Sequence, residues 1–191
     1  MLKKMKIYNT EIKDIKIIKP NVFEDERGFF MESFRSDFLQ SNNINIDFIQ
    51  DNHSQSSKNV IRGLHFQWDK PLSKLIRITR GEAFVVAVDI RVKSKTFGHY
   101  VGRMISEHSK DQFWAPFGFA TGFCSCSDIV EVQYKCNAYY NPNAESGINP
   151  FDKSININWP IKESDALMSD KDANAQSLSD WSKKNVSSEF R

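Results

Sequence analysis

Cysteine, proline and glycine are scarce in this chain of 191 residues, with three, six and eight copies. An odd number of cysteines does not suit a disulfide framework, and reduced thiols in a cytosol fit better. No apolar run approaches the roughly 20 residues of a membrane-spanning helix, and no signal-peptide core follows the basic first six residues. The net charge of only +2 implies no polyanion-binding surface. We therefore expect a cytoplasmic protein with neither membrane nor nucleic-acid partners.

The three cysteines do not form a metal-binding pattern. Cys124 and Cys126 are a Cys-x-Cys pair, and Cys136 follows at a distance with no fourth ligand at a usual spacing. On a strand Cys124 and Cys126 would share one face, as small buried residues do. The sequence therefore predicts no cysteine metal site.

Short β-rich runs dominate the middle of the chain. They cover residues 74–79, 82–90, 98–104, 112–115, 120–124 and 129–135, and turn-forming residues separate many of them. Such spacing predicts an all-β antiparallel sandwich or barrel rather than βαβ units. Helical signals are limited to residues 36–42 and 177–181, the second with Ser177 as its cap. We expect one domain over 1–191, with a leading segment at 1–9 and a frayed tail at 187–191 as peripheral parts.

One stretch of the predicted barrel combines three chemistries. Arg-Gly-Leu-His-Phe-Gln occupies positions 62–67, after a polar run at 51–59. Strict alternation along a strand would place Val60, Arg62, Leu64 and Phe66 on one face and Ile61, Gly63, His65 and Gln67 on the other. The arginine can bind an anion, the glycine permits close approach, and the histidine can move a proton at neutral pH. A lone histidine is more often incidental, but this company favours a functional site.

A histidine on an interior strand of a small barrel raises the possibility of a cupin. Metal-binding cupins use His-x-His on one strand and a later Pro-x-Gly-x-x-His turn. Here Gln67 and Thr121 stand at two of those histidine positions, in His-Phe-Gln at 65–67 and Pro-Phe-Gly-Phe-Ala-Thr at 116–121. One imidazole is a poor site for Fe, Mn or Zn. We therefore predict a cupin architecture without a metal, in which His65 is free to act as a base.

A series of short motifs runs in order along most of the chain. They are Phe-x-Asp-x-Arg-Gly-x-Phe-x-Glu at 23–32, Gln-Asp-Asn at 50–52, the 62–67 segment, Val-Asp-Ile-Arg at 88–91, Pro-x-Gly-Phe-Ala-x-Gly-Phe at 116–123, Tyr-Lys at 134–135, Tyr-Tyr at 139–140, Trp-Pro at 159–160 and Lys-Asp at 171–172. Together, over residues 10–181, they resemble the dTDP-4-dehydrorhamnose 3,5-epimerase family. The resemblance implies a cupin-type jelly roll that is a homodimer and uses no metal or organic cofactor.

The family inverts carbons beside the C4 ketone of a nucleotide-linked 4-keto-6-deoxyhexose. Such a reaction needs a base, a group at the ketone oxygen and a proton donor on the other face. By resemblance, His65 is the base, Asp172 is its carboxylate partner, Tyr134 is the acid and Lys74 lies near the ketone oxygen. Without the resemblance, each residue has a purely structural interpretation: Asp172 as a solvated loop residue, Tyr134 as a side chain that fills the barrel, and Lys74 as a loop lysine.

Other positions match substrate contacts of the family. Arg62 is expected at the pyrophosphate, where a guanidinium makes paired hydrogen bonds. The remaining matches, some supplied across the dimer, are Phe23, Arg27, Glu32, Gln50, Asp51, Asn52, Glu145 and Lys171. Structural salt bridges are the competing explanation for the charged members. Thr121 departs from the family, which commonly has histidine there, so we expect an active enzyme with an altered pocket.

The chain is therefore expected to convert dTDP-4-dehydro-6-deoxyglucose into dTDP-4-dehydrorhamnose. One alternative is a mono-epimerase that inverts C3 or C5 alone on a dTDP-, GDP- or CDP-linked 4-keto sugar. Another is a non-catalytic cupin that binds a nucleotide sugar, although binding alone does not require an opposed base and acid. The missing histidines argue against a metal-dependent cupin oxygenase.

Overall fold

The computed structural model describes residues 5–190, which are mainly β-strands. The strands are β1 (Lys6–Asn9), β2 (Lys16–Lys19), β3 (Val22–Asp25), β4 (Gly28–Met31), β5 (Gln50–Ser57), β6 (Ile61–Gln67), β7 (Lys74–Arg80), β8 (Glu82–Asp89), β9 (Tyr100–Ser106), β10 (Gln112–Ala115), β11 (Phe119–Ser125), β12 (Ile129–Cys136) and β13 (Glu145–Gly147). The helices are α1 (Ser36–Ser41), α2 (Asp170–Ala173) and α3 (Leu178–Ser182), with 3₁₀ turns at Glu163–Asp165 and Asn185–Glu189. Within residues 5–190, no helix is long and apolar enough to cross a membrane.

Two antiparallel sheets face each other. One has the strand order β1-β2-β10-β7-β12-β5 and the other β13-β6-β11-β8-β9, while β3 and β4 form a separate hairpin. Neighbours in space are often distant in sequence, as in β12 between β5 and β7, which is typical of a jelly roll. The predicted all-β cupin-type sandwich is confirmed, and all six predicted strands are present within two residues at each end.

The strands of the five-stranded sheet are apolar because both of its faces are buried. In β8, Val85 and Ala87 point into the space between the sheets, whereas Val86 and Val88 belong to a second core on the outer face. A strand covered on both sides reads as a continuous apolar run rather than an alternating one. The chain from 148 to 190 supplies most of the cover for that outer face. A third, smaller core lies on the outer face of the six-stranded sheet and includes Leu39 of α1.

The two chain ends are more integrated than predicted. The frayed tail expected at 187–191 is wrong for the described residues, because Phe190 is buried with its ring centroid 5.3 Å from Trp181 and 5.9 Å from Phe66. At the other end, β1 pairs with β2 instead of forming a separate leading segment. Residues 1–4 and 191 lie outside the described part. Both predicted helices are confirmed, and Ser177 caps α3 by accepting a hydrogen bond from the Asp180 amide at 3.0 Å.

The Val-Asp-Ile-Arg motif at 88–91 builds a corner of the fold and not a binding site. The Asp89 side chain is fully buried and accepts hydrogen bonds from Arg91, Ser94 and Thr96. Arg91 also stacks on the ring of Phe119, 4.6 Å from its centroid. A buried carboxylate is tolerable because these donors satisfy its oxygens.

Candidate functional site

A cavity of about 310 Å³ opens between the two sheets at one end of the sandwich. This volume is at the lower end of the roughly 300–1,000 Å³ typical of small-molecule pockets. Its lining residues are Ser54, Arg62, His65, Lys74, Ile76, Thr121, Gly122, Phe123, Val132, Tyr134, Tyr140, Glu145 and Lys171. Seven of them were predicted as site residues from the sequence. A more open recess of about 510 Å³ shares Arg62, His65 and Lys171 and is also lined by Asp172.

A bulge in β6 brings Arg62 and His65 to the same cavity. Across the ladder His65 is opposite Thr121 and Arg62 is opposite Phe123, so two residues of β6 face the single Gly122. The strict alternation predicted for this segment is therefore wrong, because Ile61, Leu64 and Phe66 all join the outer core while Arg62 and His65 line the cavity.

Glycine is required at the bulge for steric reasons. Gly63 has a φ of +138°, and a Cβ there would lie 2.6 Å from the Cα of Gly122. Only glycine adopts this backbone conformation without a penalty, and only glycine leaves room for the facing chain. The glycine that the sequence suggested for close approach to a ligand thus serves close approach of two strands.

His65 is held by a buried carboxylate. Its Nε2 lies 2.6 Å from Oδ1 of Asp172, whose side chain is 6% exposed. A carboxylate can only accept, so Nε2 carries the proton and the lone pair of the neutral ring is on Nδ1. Nδ1 is therefore the ring atom that can take up a proton.

Asp172 stays ionised in spite of its burial. Burial opposes ionisation, but the hydrogen bond and charge of His65, the Gly63 amide and Lys171 together hold the pKa of Asp172 below its usual value. The residue lies on the single turn of α2, which begins after Ser169, whose hydroxyl accepts a hydrogen bond from the Asp172 amide at 3.2 Å. The chain order Ser-Asp-Lys-Asp thus forms a capped turn rather than the solvated loop that Asp172 alone suggested.

Lys74 projects from β7 of the opposite sheet towards the same point. Its ammonium donates to Oγ1 of Thr121 at 2.8 Å and lies 5.7 Å from the ring centroid of Tyr134. Burial lowers the pKa of Lys74, and this effect is opposed by the nearby Cys136 and Glu145. A desolvated ammonium beside a cavity is suited to stabilising negative charge that develops on a bound oxygen.

Tyr134 lies on β12, directly across the ladder from Asn52. Burial, together with Cys136 and Glu145, raises the pKa of Tyr134 to about 12. The phenol is therefore protonated at neutral pH and can act as a hydrogen-bond or proton donor.

Four further polar groups line the cavity, namely Arg62, Tyr140, Glu145 and Lys171. Glu145 is bound by Lys171 and by the Tyr140 hydroxyl, the latter at 2.8 Å. Burial opposes the ionisation of Glu145, but these two donors and the charge of His65 hold its pKa below the usual value. Arg62 donates through Nε to the Ser56 hydroxyl at 3.0 Å, and this hydrogen bond fixes the orientation of its guanidinium.

Not every residue predicted to bind substrate reaches the cavity within one chain. Gln50 and Asn52 lie beside it, joined to each other at 3.1 Å, whereas Asp51 points to the outer face of the sheet and pairs with Lys135 at 3.0 Å. Phe23, Arg27 and Glu32 lie in or just after the exposed β3–β4 hairpin, and none of the three lines the cavity. The Arg27 side chain is 83% exposed and pairs with Asp25.

The sequence reasoning missed several residues that shape the site. Tyr140 belongs to the Tyr-Tyr motif at 139–140 but is not among the predicted site residues, and Ser54 and Ser56 fall within the polar run at 51–59 without a predicted role. Ser54 and Ser56 pair across the ladder with Val132 and Val130, which face the space between the sheets. Polar side chains at such inward positions of a strand are the pattern that could have identified them. Gln67, at a histidine position of metal-binding cupins, holds the neighbouring loops in place. Its Nε2 donates to the carbonyls of Lys70 and Tyr139, and its Oε1 accepts from the amide of Asn141.

Comparison with known proteins identifies relatives along nearly the whole chain. A family model described as dTDP-4-dehydrorhamnose 3,5-epimerase matches residues 9–180. The chain is 50% identical over 178 residues to the dTDP-4-dehydrorhamnose 3,5-epimerase of Shigella flexneri, covering 92% of this chain and 97% of that one. It is similar to the crystal structure of dTDP-6-deoxy-D-glucose-3,5-epimerase from Legionella pneumophila Philadelphia 1 in complex with dTDP-4-keto-L-rhamnose, with a TM-score of 0.89, 45% identity and coverage of 92% and 93%. A 3'-monoepimerase from Streptomyces bikiniensis in complex with dTDP-quinovose matches with a TM-score of 0.83, 29% identity and coverage of 90% and 87%.

Proposed function

Because the chain belongs to the dTDP-4-dehydrorhamnose 3,5-epimerase family, we propose that it inverts C3 and C5 of dTDP-4-dehydro-6-deoxyglucose to give dTDP-4-dehydrorhamnose. The observation that supports this most is the His65–Asp172 pair, with His65 lining the same cavity as Lys74 and Tyr134. A proton beside a ketone is weakly acidic because the resulting carbanion delocalises onto oxygen as an enolate. The chemistry therefore needs only groups that the cavity holds.

In this proposal His65 removes the proton from the carbon beside the ketone. Nδ1 accepts it, and the 2.6 Å contact of Nε2 with Asp172 stabilises the imidazolium that forms. A positioned histidine of this kind typically accelerates proton transfer by about 10²–10⁴. Asp172 also fixes the ring tautomer with the proton on Nε2, which leaves the lone pair of Nδ1 free to act as the base.

Lys74 and Tyr134 complete the proposed reaction. The ammonium of Lys74 stabilises negative charge on the C4 oxygen, where a single well-placed donor is worth about 10²–10³ in rate. Tyr134 then returns a proton to the enolate, and its pKa of about 12 keeps the phenol protonated until that step. The two groups reach the cavity from neighbouring strands, β7 and β12.

The cationic mouth of the cavity suits the nucleotide part of the substrate. Arg62 and Lys171 line both the cavity and the adjoining recess, so we assign them to the diphosphate. Arg62 can engage phosphate oxygens with paired hydrogen bonds.

A second copy of the chain would supply the predicted contacts that one chain lacks. The β3–β4 hairpin exposes Phe23 at 47%, Phe29 at 56% and Phe30 at 71%, more apolar surface than a free hairpin usually presents. We propose a homodimer in which this hairpin, with Arg27 and Glu32, lies over the cavity of the partner. The cytoplasmic location and the lack of a cofactor stay predictions from the sequence.

Proton exchange in deuterated water tests the proposed reaction. The purified protein is incubated with dTDP-4-dehydro-6-deoxyglucose, and NMR follows the protons at C3 and C5 while a downstream ketoreductase traps the product. Deuterium at both carbons with trapped product is the expected result. Deuterium at one carbon would instead support a mono-epimerase, the activity named for the similar Streptomyces bikiniensis structure. Binding without any exchange would support the non-catalytic cupin.

A further inference from the structure

The hydrogen bonds of the Lys74 ammonium run to neutral oxygen atoms. Its Nζ donates to Thr121 Oγ1 at 2.8 Å and, more weakly, to the His65 carbonyl at 3.4 Å. Among the described residues, no acidic side chain comes within 4 Å of this nitrogen. Burial penalises the charged form, and the charges of Cys136 and Glu145 oppose that effect from further away. Thr121 is the closest hydrogen-bond acceptor of the ammonium.

Thr121 also joins Lys74 to the strand that carries His65. The threonine is 5% exposed and pairs with His65 across the β6–β11 ladder, and its hydroxyl lies 3.4 Å from the His65 carbonyl. Lys74 belongs to the other sheet. The Lys74–Thr121 hydrogen bond therefore crosses the cavity and couples the lysine to the backbone of the histidine.

We infer that Thr121 is a positioning residue for Lys74, which holds the ammonium in place and directs its free N–H into the cavity. This inference rests on the proposed function for its catalytic meaning. An ammonium has three donors. Two are taken up by Thr121 and the His65 carbonyl, and the third is left for the ketone oxygen of the sugar. A hydroxyl that accepts from Lys74 favours the charged amine, which is the form that can stabilise an enolate.

Two substitutions separate this role from simple packing. Thr121→Val keeps the shape and removes the hydroxyl, whereas Thr121→Ser keeps the hydroxyl and removes a methyl group. We expect Thr121→Val to lower kcat by about tenfold or more with a much smaller change in KM, and Thr121→Ser to recover most of the loss. The alkaline fall of kcat/KM should begin at lower pH in Thr121→Val, because an amine that loses an acceptor gives up its proton more readily.

The other groups that face Lys74 are the same in the wild type and in both Thr121 variants. They are His65 on β6, Tyr134 and Cys136 on β12, and Glu145 on β13, so a shift specific to Thr121→Val reports on the missing hydroxyl. Thr79→Val is the matched control, because Thr79 lies on the same strand as Lys74 and its hydroxyl donates to the Glu131 carbonyl away from the cavity. This control should leave the pH profile unchanged.

A titration of the Lys74 amine in the free protein keeps the two proposals distinguishable. NMR of the protein labelled with ¹³C at lysine Cε needs no substrate, with Lys74→Arg to assign the signal. A lower titration midpoint in Thr121→Val, restored in Thr121→Ser, supports the inference. An unchanged midpoint, or equal losses of kcat in both variants, would overturn it. If the wild type exchanges no deuterium, the proposed function fails while the titration still decides the role of Thr121.

Discussion

Asp172→Asn is the substitution that most directly tests the proposed base. It changes one oxygen to an amide nitrogen in a side chain that is 6% exposed and 2.6 Å from the histidine ring. A buried hydrogen bond to a charged group is worth about 1.5–3 kcal/mol, which corresponds to a factor of roughly 10 to 150 in rate. An asparagine amide can also donate to Nε2 and force the proton onto Nδ1, and loss of the correct tautomer has cost up to about 10⁴ in a related arrangement. We therefore expect kcat to fall by about 10²–10⁴.

The assay is deuterium wash-in at C3 and C5, with KM measured in parallel. KM should change far less than kcat, because the carboxylate acts on the ring of His65 and not on the bound sugar. Asp170→Asn is the matched control: it makes the same chemical change on the same turn, α2, but at an exposed side chain that does not contact His65. Asp170→Asn should unfold at nearly the wild-type temperature, and Asp172→Asn at a somewhat lower one, because it weakens a buried hydrogen bond to a charged group. An Asp172→Asn enzyme that exchanges both protons at the wild-type rate would refute the assignment of His65 and Asp172 as a unit.

Three other substitutions test the acid, the bulge and the buried corner. Tyr134→Phe should slow net inversion more than proton loss, so deuterium exchange should exceed product formation. Gly63→Ala should reduce the free energy of unfolding in urea by about 3 kcal/mol, whereas Gly28→Ala, with φ of +120° but open space around it, should cost less. Asp89→Asn should reduce that free energy by about 3 kcal/mol at pH 7. Burial opposes ionisation of Asp89, but hydrogen bonds from Arg91 and two hydroxyls lower its pKa. The ionised carboxylate therefore stabilises the fold at neutral pH, and this contribution is lost as the pH falls below about 4. The stability of the Asp89→Asn variant should depend less on pH in that range.

The central strands could be predicted because their side chains follow simple rules. Val130, Val132 and Tyr134 alternate along β12 and all face the interior, so a period of two finds them. The hairpin formed by β3 and β4 carries charged residues between exposed phenylalanines, and no single period describes it. The burial of Phe190 depends on Trp181 and on Phe66. Phe66 is distant in sequence, so the local pattern could not predict that the C-terminal end packs against the sheet.

The candidate site was predictable as a set of residues but not as a geometry. Motif resemblance selected His65, Lys74, Tyr134 and Asp172, and the structure brings these four together. The face of Arg62 could not be predicted, because alternation assumes an unbroken ladder and the bulge at Gly63 breaks it. The position of Arg27 on an exposed hairpin away from the cavity also could not be predicted, since the motif does not show where the hairpin lies relative to the two sheets.

His65 and Asp172, the proposed base and its carboxylate partner, are 107 positions apart along the chain, and this separation has a consequence for synthesis. At roughly 5–20 residues per second, a ribosome needs about 5–20 s to pass from His65 to Asp172. The strands that carry Lys74, Thr121 and Tyr134 are made during that interval, and the carboxylate that orients the imidazole follows all of them. A chain that ends before α2 would lack Asp172 and also the buried Trp181 and Phe190 of the outer core, so we expect it to lose the proposed chemistry together with part of the cover of the five-stranded sheet. The proposed activity therefore requires synthesis to proceed beyond α2, and we expect a chain that stops earlier to exchange no protons of the nucleotide sugar.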